Sequence, residues 1–144
     1  CEARCIMHRT HPLATRDVVP IVSLQNQTFV ELMSDSPLRV RVDYLMQTID
    51  IKRKISAELR HMRGVCALVD RNLGVAVIDP VAELLLQGTS VVSKPLEPTI
   101  EWEMALLKSK SRPLSKVADA FSDEILREIE NLQAMGILKT LTRH

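Results

Sequence analysis

Aromatic side chains are scarce in this 144-residue sequence, which has two phenylalanines, one tyrosine and one tryptophan. Proteins that bind single-stranded nucleic acid stack bases on aromatic rings, so this scarcity argues against such a function. A basic excess is also missing, because 19 basic residues face 18 acidic ones and the net charge is +1. Surfaces that bind DNA phosphates carry a clear positive excess. We therefore expect this chain not to contact DNA itself.

Cysteine and glycine are equally sparse. Cys1, Cys5 and Cys66 form neither a metal-binding spacing nor an even-numbered disulfide framework, which suits a reducing cytosol. With only four glycines, the sequence has no glycine-rich phosphate loop and no G-x-S-x-G elbow. We predict no cofactor, no metal site and no enzymatic activity. The alternative is an acid/base pair such as Glu58 with His61, and no motif supports it.

Long hydrophobic runs are missing too, and residues 1–144 contain no signal-peptide pattern, so we expect a cytoplasmic protein without a membrane partner. The first residue is Cys1, which is compatible with the lipid-bearing residue of a mature lipoprotein or with a start inside a longer protein. We favour the second interpretation, because "CEARCIM" runs directly into strand-like sequence without a polar tether.

Apolar residues make up 46% of the chain and charged residues 26%, as in ordinary globular domains. Strand patterns alternate with helix patterns along it. The predicted strands are Cys5–His8, Thr28–Leu32, Ile55–Leu59, "LGVAVI", "TSVVSKPL" and "TIEWEMALL". The predicted helices begin at "SPLR" and at "HMRG", and two more are "VAELLLQG" and "SRPLSKVADAFSDEILREIENLQ". This alternation predicts an α/β fold with a mostly parallel sheet, in which "LGVAVI" is a central strand covered on both faces.

Capping signals mark several of these helices. Ser36 suits an N-cap and Pro37 the first helical position, while Asn72 suits a left-handed residue after the second helix. Pro113 marks the first turn of the longest helix. The apolar stripe of that helix comprises Leu114, Val117, Phe121, Ile125, Ile129 and Leu132. We interpret this stripe as core or interface packing.

Four segments occur in a recognisable order, namely "THPLA", "SPLRVRVD", "VCALVDRNLGVAVIDP" and "RPLSKVADAF". In order and spacing they resemble the effector-binding domain of the LysR-type transcriptional regulators, from about residue 6 to residue 129. Within that family, "SPLR", "GVAVIDP" and "RPLS" are most similar to regulators of opine and amino-acid catabolism.

The resemblance implies the type II periplasmic-binding-protein fold, which has two α/β lobes and a ligand cleft between them. Residues 1–98 would form a complete subdomain II, and residues 99–144 the returning part of subdomain I with a C-terminal helix and tail. It implies a small-molecule effector, a homo-oligomer (dimer or tetramer) and DNA contact only through an N-terminal winged helix-turn-helix that this chain lacks. Effector binding would change the angle between the lobes. A solute-binding lipoprotein of the same fold is the alternative.

Ligands of open α/β sheets bind beyond the carboxyl ends of strands, where helix N-termini offer free amides. Two segments fit this rule, "SDSPLR" and "RHMRG", and both match cleft-lining segments of the family. The predicted effector-binding residues are Ser34, Ser36, Leu38, Arg39, His61, Met62, Arg63 and Gly64. Such a site suits an anionic or zwitterionic ligand, with Arg39 or Arg63 as a bidentate carboxylate partner. The alternatives are that Ser36 only caps its helix, that His61 is a loop residue and that the arginines are solvated.

Overall fold

A computed structural model describes residues 1–101, 103–109, 111 and 115–138. The chain divides into two compact units, the first beginning at Glu2 and the second at Glu103. The strands of the first unit are β1 (Arg4–His8), β2 (Val19–Pro20), β3 (Thr28–Leu32), β4 (Lys54–Leu59), β5 (Ala76–Ile78) and β6 (Val91–Glu97). Its α-helices are α1 (Pro37–Thr48) and α2 (Met62–Asp70), and its 3-10 helices are Pro12–Thr15, Ile21–Leu24 and Pro80–Leu86.

The strands pair in the order β2-β6-β1-β5, and β3 pairs with β4. A parallel bridge from Phe29 to Val75, the residue before β5, connects the two sets. The pairs β3-β4 and β2-β6 are parallel, whereas β1 runs antiparallel to both β5 and β6. The predicted α/β class is therefore confirmed, and β5 has the central position predicted for it.

Each face of the sheet is covered by a different helix, because successive strand residues point to opposite faces. On one face α1 packs on the strands with a cluster that includes Cys5, Met7, Phe29, Leu38, Val42 and Met46. On the other face α2 packs with a cluster that includes Ile6, Val30, Val65, Val69, Ala76 and Ile78. The two helices thus follow neighbouring strands but lie on opposite sides of the sheet.

The connection from α2 to β5 is tight because two residues adopt positive φ. Asn72 has φ 58°, as predicted for the residue that ends this helix. Gly74 has φ 153°, and a Cβ there would lie 2.7 Å from the backbone oxygen of Thr28. Leu73 is half exposed and precedes the strand, so β5 is shorter than the predicted "LGVAVI".

Other predicted elements differ in detail. Lys54–Leu59 lies at the edge of the sheet. Ile55 is therefore exposed, although the alternating pattern predicts that its side chain faces the core. The "VAELLLQG" segment forms a 3-10 helix rather than an α-helix. The short strand β2 was not predicted. The predicted "TIEWEMALL" strand is wrong in its described residues, since Glu101 forms one bridge with Glu2 and residues 103–109 have no regular secondary structure.

The second unit contains α3 (Lys116–Ala134), whose N-cap Ser115 accepts a hydrogen bond of 3.2 Å from the amide of Ala118. Val117 and Phe121 are largely exposed, whereas Leu132 is buried. The predicted roles of Trp102, Pro113 and Leu114, and the end of the predicted tail, fall on residues outside the described part. No helix in the described part is both long and apolar enough to cross a membrane.

Candidate functional site

The two segments predicted from the sequence meet at one edge of the sheet. β3 leads to α1 and β4 leads to α2, and these parallel strands are hydrogen-bonded neighbours with Leu32 opposite Leu59. The amide of Met33 donates to the carbonyl of Leu59 at 3.0 Å, which joins the loops directly. The structure therefore brings residues 34–39 and 61–64 together beyond the carboxyl ends of the two strands.

Both helices present unsatisfied amides at this edge. Within the described part of the chain, the backbone amides of Leu38, Arg39, Met62 and Arg63 have no hydrogen-bond acceptor. The first N–H groups of any helix lack partners inside the helix, and the helix dipole places partial positive charge there. An anionic ligand that reaches these amides would gain several hydrogen bonds at once.

The N-cap side chains are not used for capping. Ser36 and His61 are the N-caps of α1 and α2, and neither side chain makes a cap hydrogen bond. Their carbonyls serve the helices instead, with the amide of Val40 donating to Ser36 and that of Gly64 to His61, both at 3.0 Å. His61 is exposed and Ser36 half-buried, so a hydroxyl and an imidazole remain available to a ligand.

The remaining predicted residues differ in what they can offer. Ser34 and Arg63 are exposed, and Arg63 forms no salt bridge with a described residue. The side chain of Leu38 is buried in the core, so only its backbone faces the edge as a candidate contact. Met62 packs against both core clusters. A Cβ at Gly64 would lie 2.9 Å from a terminal methyl group of Leu59, so glycine keeps this first turn close to β4.

Arg39, one of the two predicted carboxylate partners, lies in a network of buried ion pairs. Its side chain is only 8% exposed, and its Nη1 donates to the carbonyl oxygen of Leu32 at 2.9 Å and to Glu58 at 3.1 Å. Its Nε donates to Asp43 at 2.7 Å, and Glu31 lies 2.7 Å from Nη1. The guanidinium is therefore engaged by protein groups, and its contact with a ligand carboxylate stays a prediction.

A second arginine completes this ion network. Arg53 contacts both Glu31, at 2.5 Å, and Asp43, and its guanidinium lies 5.6 Å from the centroid of the Phe29 ring. Burial raises the pKa of the Glu31 carboxyl, although Arg53 and Arg39 both act to lower it. Burial works to lower the pKa of Arg39, but its bonds to Asp43 and Glu31 outweigh this and leave the pKa raised.

Glu58 and His61, the acid/base pair considered from the sequence, have different surroundings. Glu58 accepts a hydrogen bond from Arg39, and among the described residues it has none with His61. No group of metal-ligating side chains was found in the described residues. A surface concavity of about 410 Å³ lies at the other end of β4, where it is lined by Asp43, Gln47, Asp50, Ile51, Arg53 and Ile55. None of the predicted site residues lines it.

Comparison with characterised relatives supports the regulator resemblance. The chain is 25% identical over 121 residues to the transcriptional activator protein LysR of Escherichia coli strain K12. That match covers 84% of this chain and 39% of the relative, so the chain spans less than half of that protein's length.

Two solved structures show the same fold. The regulatory domain of CcmR from Synechocystis PCC6803, in complex with 2-PG, has a TM-score of 0.71 at 20% identity, over 91% of this chain and 64% of that one. The effector-binding domain of QuiR in complex with shikimate has a TM-score of 0.58 at 20% identity, over 88% and 60%. The type II periplasmic-binding-protein-like fold is thereby confirmed.

The family model described as "LysR substrate binding domain" matches residues 2–130, which is nearly the whole chain. This chain belongs to the LysR substrate binding domain family.

Proposed function

We propose that this chain is the effector-sensing domain of a LysR-type bacterial transcriptional regulator. The observation that carries the proposal is the pair of helix N-termini at one sheet edge, where four amides have no acceptor among the described residues. CcmR and QuiR, which share the fold, are bound in their structures to 2-PG and to shikimate. A small anionic or zwitterionic metabolite is the ligand class that two positive helix ends would select.

Different residues of the two loops would make different contacts with the ligand. The backbone amides of Leu38 and Met62 would donate to an anionic group, and the hydroxyls of Ser34 and Ser36 would add hydrogen bonds. His61 and Arg63 would supply further donors from the second loop, and an exposed arginine is well suited to a carboxylate. Gly64 would contribute by allowing α2 to start close to β4.

In the intact protein, the ligand would change regulation rather than undergo a reaction. Binding would shift the equilibrium between two arrangements of a cytoplasmic homo-oligomer, and a DNA-binding domain outside this chain would respond. A ligand can shift such an equilibrium only if its affinity differs between the two arrangements. Placement in the opine and amino-acid branch remains part of this proposal.

The test begins with a thermal-shift screen of a complete effector domain against amino acids and small carboxylates, including shikimate. For a compound that binds, Ser36→Ala with His61→Ala should weaken binding at least about tenfold, because a hydrogen bond to a charged group contributes about 1.5–3 kcal/mol. Calorimetric titration measures this loss of affinity.

A matched control is His8→Ala with Thr10→Ala, which also removes an imidazole and a hydroxyl. The side chains of His8 and Thr10 hydrogen-bond each other at 2.8 Å. They lie at the end of β1, and because β1 is antiparallel to β5, this end is near the start of β5 and not at the carboxyl ends of the parallel strands. The control should bind normally. Unchanged affinity in the Ser36/His61 variant would refute the assigned site.

A further inference from the structure

We propose that the side chain of Arg39 holds the two effector loops in register, as a positioning group, rather than touching the ligand. This inference rests on the proposed function of those loops. A single guanidinium nitrogen, Nη1, bonds to the carbonyl of Leu32, immediately before the first loop, and to Glu58, shortly before the second. Arg39 itself lies in the first turn of α1, so it ties the helix end to both strand ends.

The bonding geometry requires arginine. The Nε of Arg39 bonds back to Asp43, one turn along α1, which orients the guanidinium toward the strands. Glu31, a residue of β3 that is 5% exposed, neutralises the positive charge of Arg39. Lysine could keep the charge near Glu31, but its single ammonium on a flexible stem does not reproduce this planar set of donors. Removal of those donors should loosen the strand ends while leaving the buried charge paired.

Arg53 provides the comparison that separates positioning from general stability. It is 11% exposed and shares both Glu31 and Asp43 with Arg39. However, it precedes β4, whereas the effector loops follow the carboxyl ends of β3 and β4. Arg53→Lys should therefore disturb the same network without releasing either loop.

The test measures amide hydrogen exchange by NMR on the 144-residue chain without any ligand. The amide of Ser36 bonds to the carbonyl of Met33 in the first loop, and the amide of Gly64 bonds to that of His61 in the second, both at 3.0 Å. Arg39→Lys should speed exchange at both amides by about tenfold or more, since local opening loses hydrogen bonds to a charged group. Arg53→Lys should leave both rates near those of the parent chain.

A second variant isolates one of the loops. Glu58→Ala removes the anchor of β4 from a half-exposed position, so it should speed exchange at Gly64 and leave Ser36 unchanged. Equal acceleration by Arg39→Lys and Arg53→Lys would overturn the proposal, as would no acceleration by Arg39→Lys. Because no effector is used, these results do not depend on whether the ligand proposal is correct.

Discussion

Gly74→Ala should destabilise the first unit, because the added Cβ would collide with backbone atoms of β3. The added Cβ would lie 2.7 Å from the carbonyl oxygen of Thr28, 3.1 Å from its carbonyl carbon and 3.3 Å from that of Phe29. These atoms belong to the sheet backbone, where the amide of Val75 donates to the same Thr28 oxygen at 2.9 Å. Overpacking costs about 1–3 kcal/mol and a weakened backbone hydrogen bond about 0.5–1.5 kcal/mol. We expect a loss of about 2–4 kcal/mol in the free energy of unfolding.

Urea denaturation followed by far-UV circular dichroism measures this loss. Gly88→Ala is the matched control, because Gly88 also has positive φ, at 75°, but its added Cβ would meet nothing within 4 Å. That control should lose only about 1–2 kcal/mol from the left-handed backbone conformation. Equal losses in the two variants would show that the close approach at Gly74 is not what requires glycine.

Two further predictions concern side-chain exposure. Burial raises the pKa of the Cys5 thiol to about 12 and also raises that of Cys66, so both stay protonated at pH 8. Iodoacetamide should therefore label only Cys1 in the folded chain, and mass spectrometry showing Cys5 labelled as fast as Cys1 would contradict this. The exposed Val117 and Phe121 should promote concentration-dependent association, which Phe121→Glu should reduce in light scattering. A parent chain that stays monomeric at high concentration would oppose it.

Local signals in the sequence were sufficient to predict those helices and strands that are defined by their own residues. The strand Thr28–Leu32 has the predicted bounds, and α1 begins at Pro37 after the predicted N-cap. Asn72 has the predicted positive φ. These features depend on residue chemistry within a few positions, so the sequence displays them directly.

Features that depend on distant partners could not be predicted in the same way. The buried network joins α1 to β3 and to a residue before β4, and the segment around Arg39 does not indicate these distant partners. The sequence does contain one signal of this network, because Glu31 is a charged residue inside the otherwise apolar strand "TFVEL". Buried charges require partners, so Glu31 predicts a nearby cation without specifying which one. Likewise, the exposure of Ile55 follows from the edge position of β4, which alternation alone does not indicate.

In the proposed function, a small anion binds where α1 and α2 begin. The decisive measurement is backbone chemical-shift mapping of a complete effector domain, titrated with a carboxylate from the thermal-shift screen. The largest shifts should occur at the amides of Leu38, Met62 and Arg63. Largest shifts around Asp50 and Arg53, at the other end of β4, would contradict it.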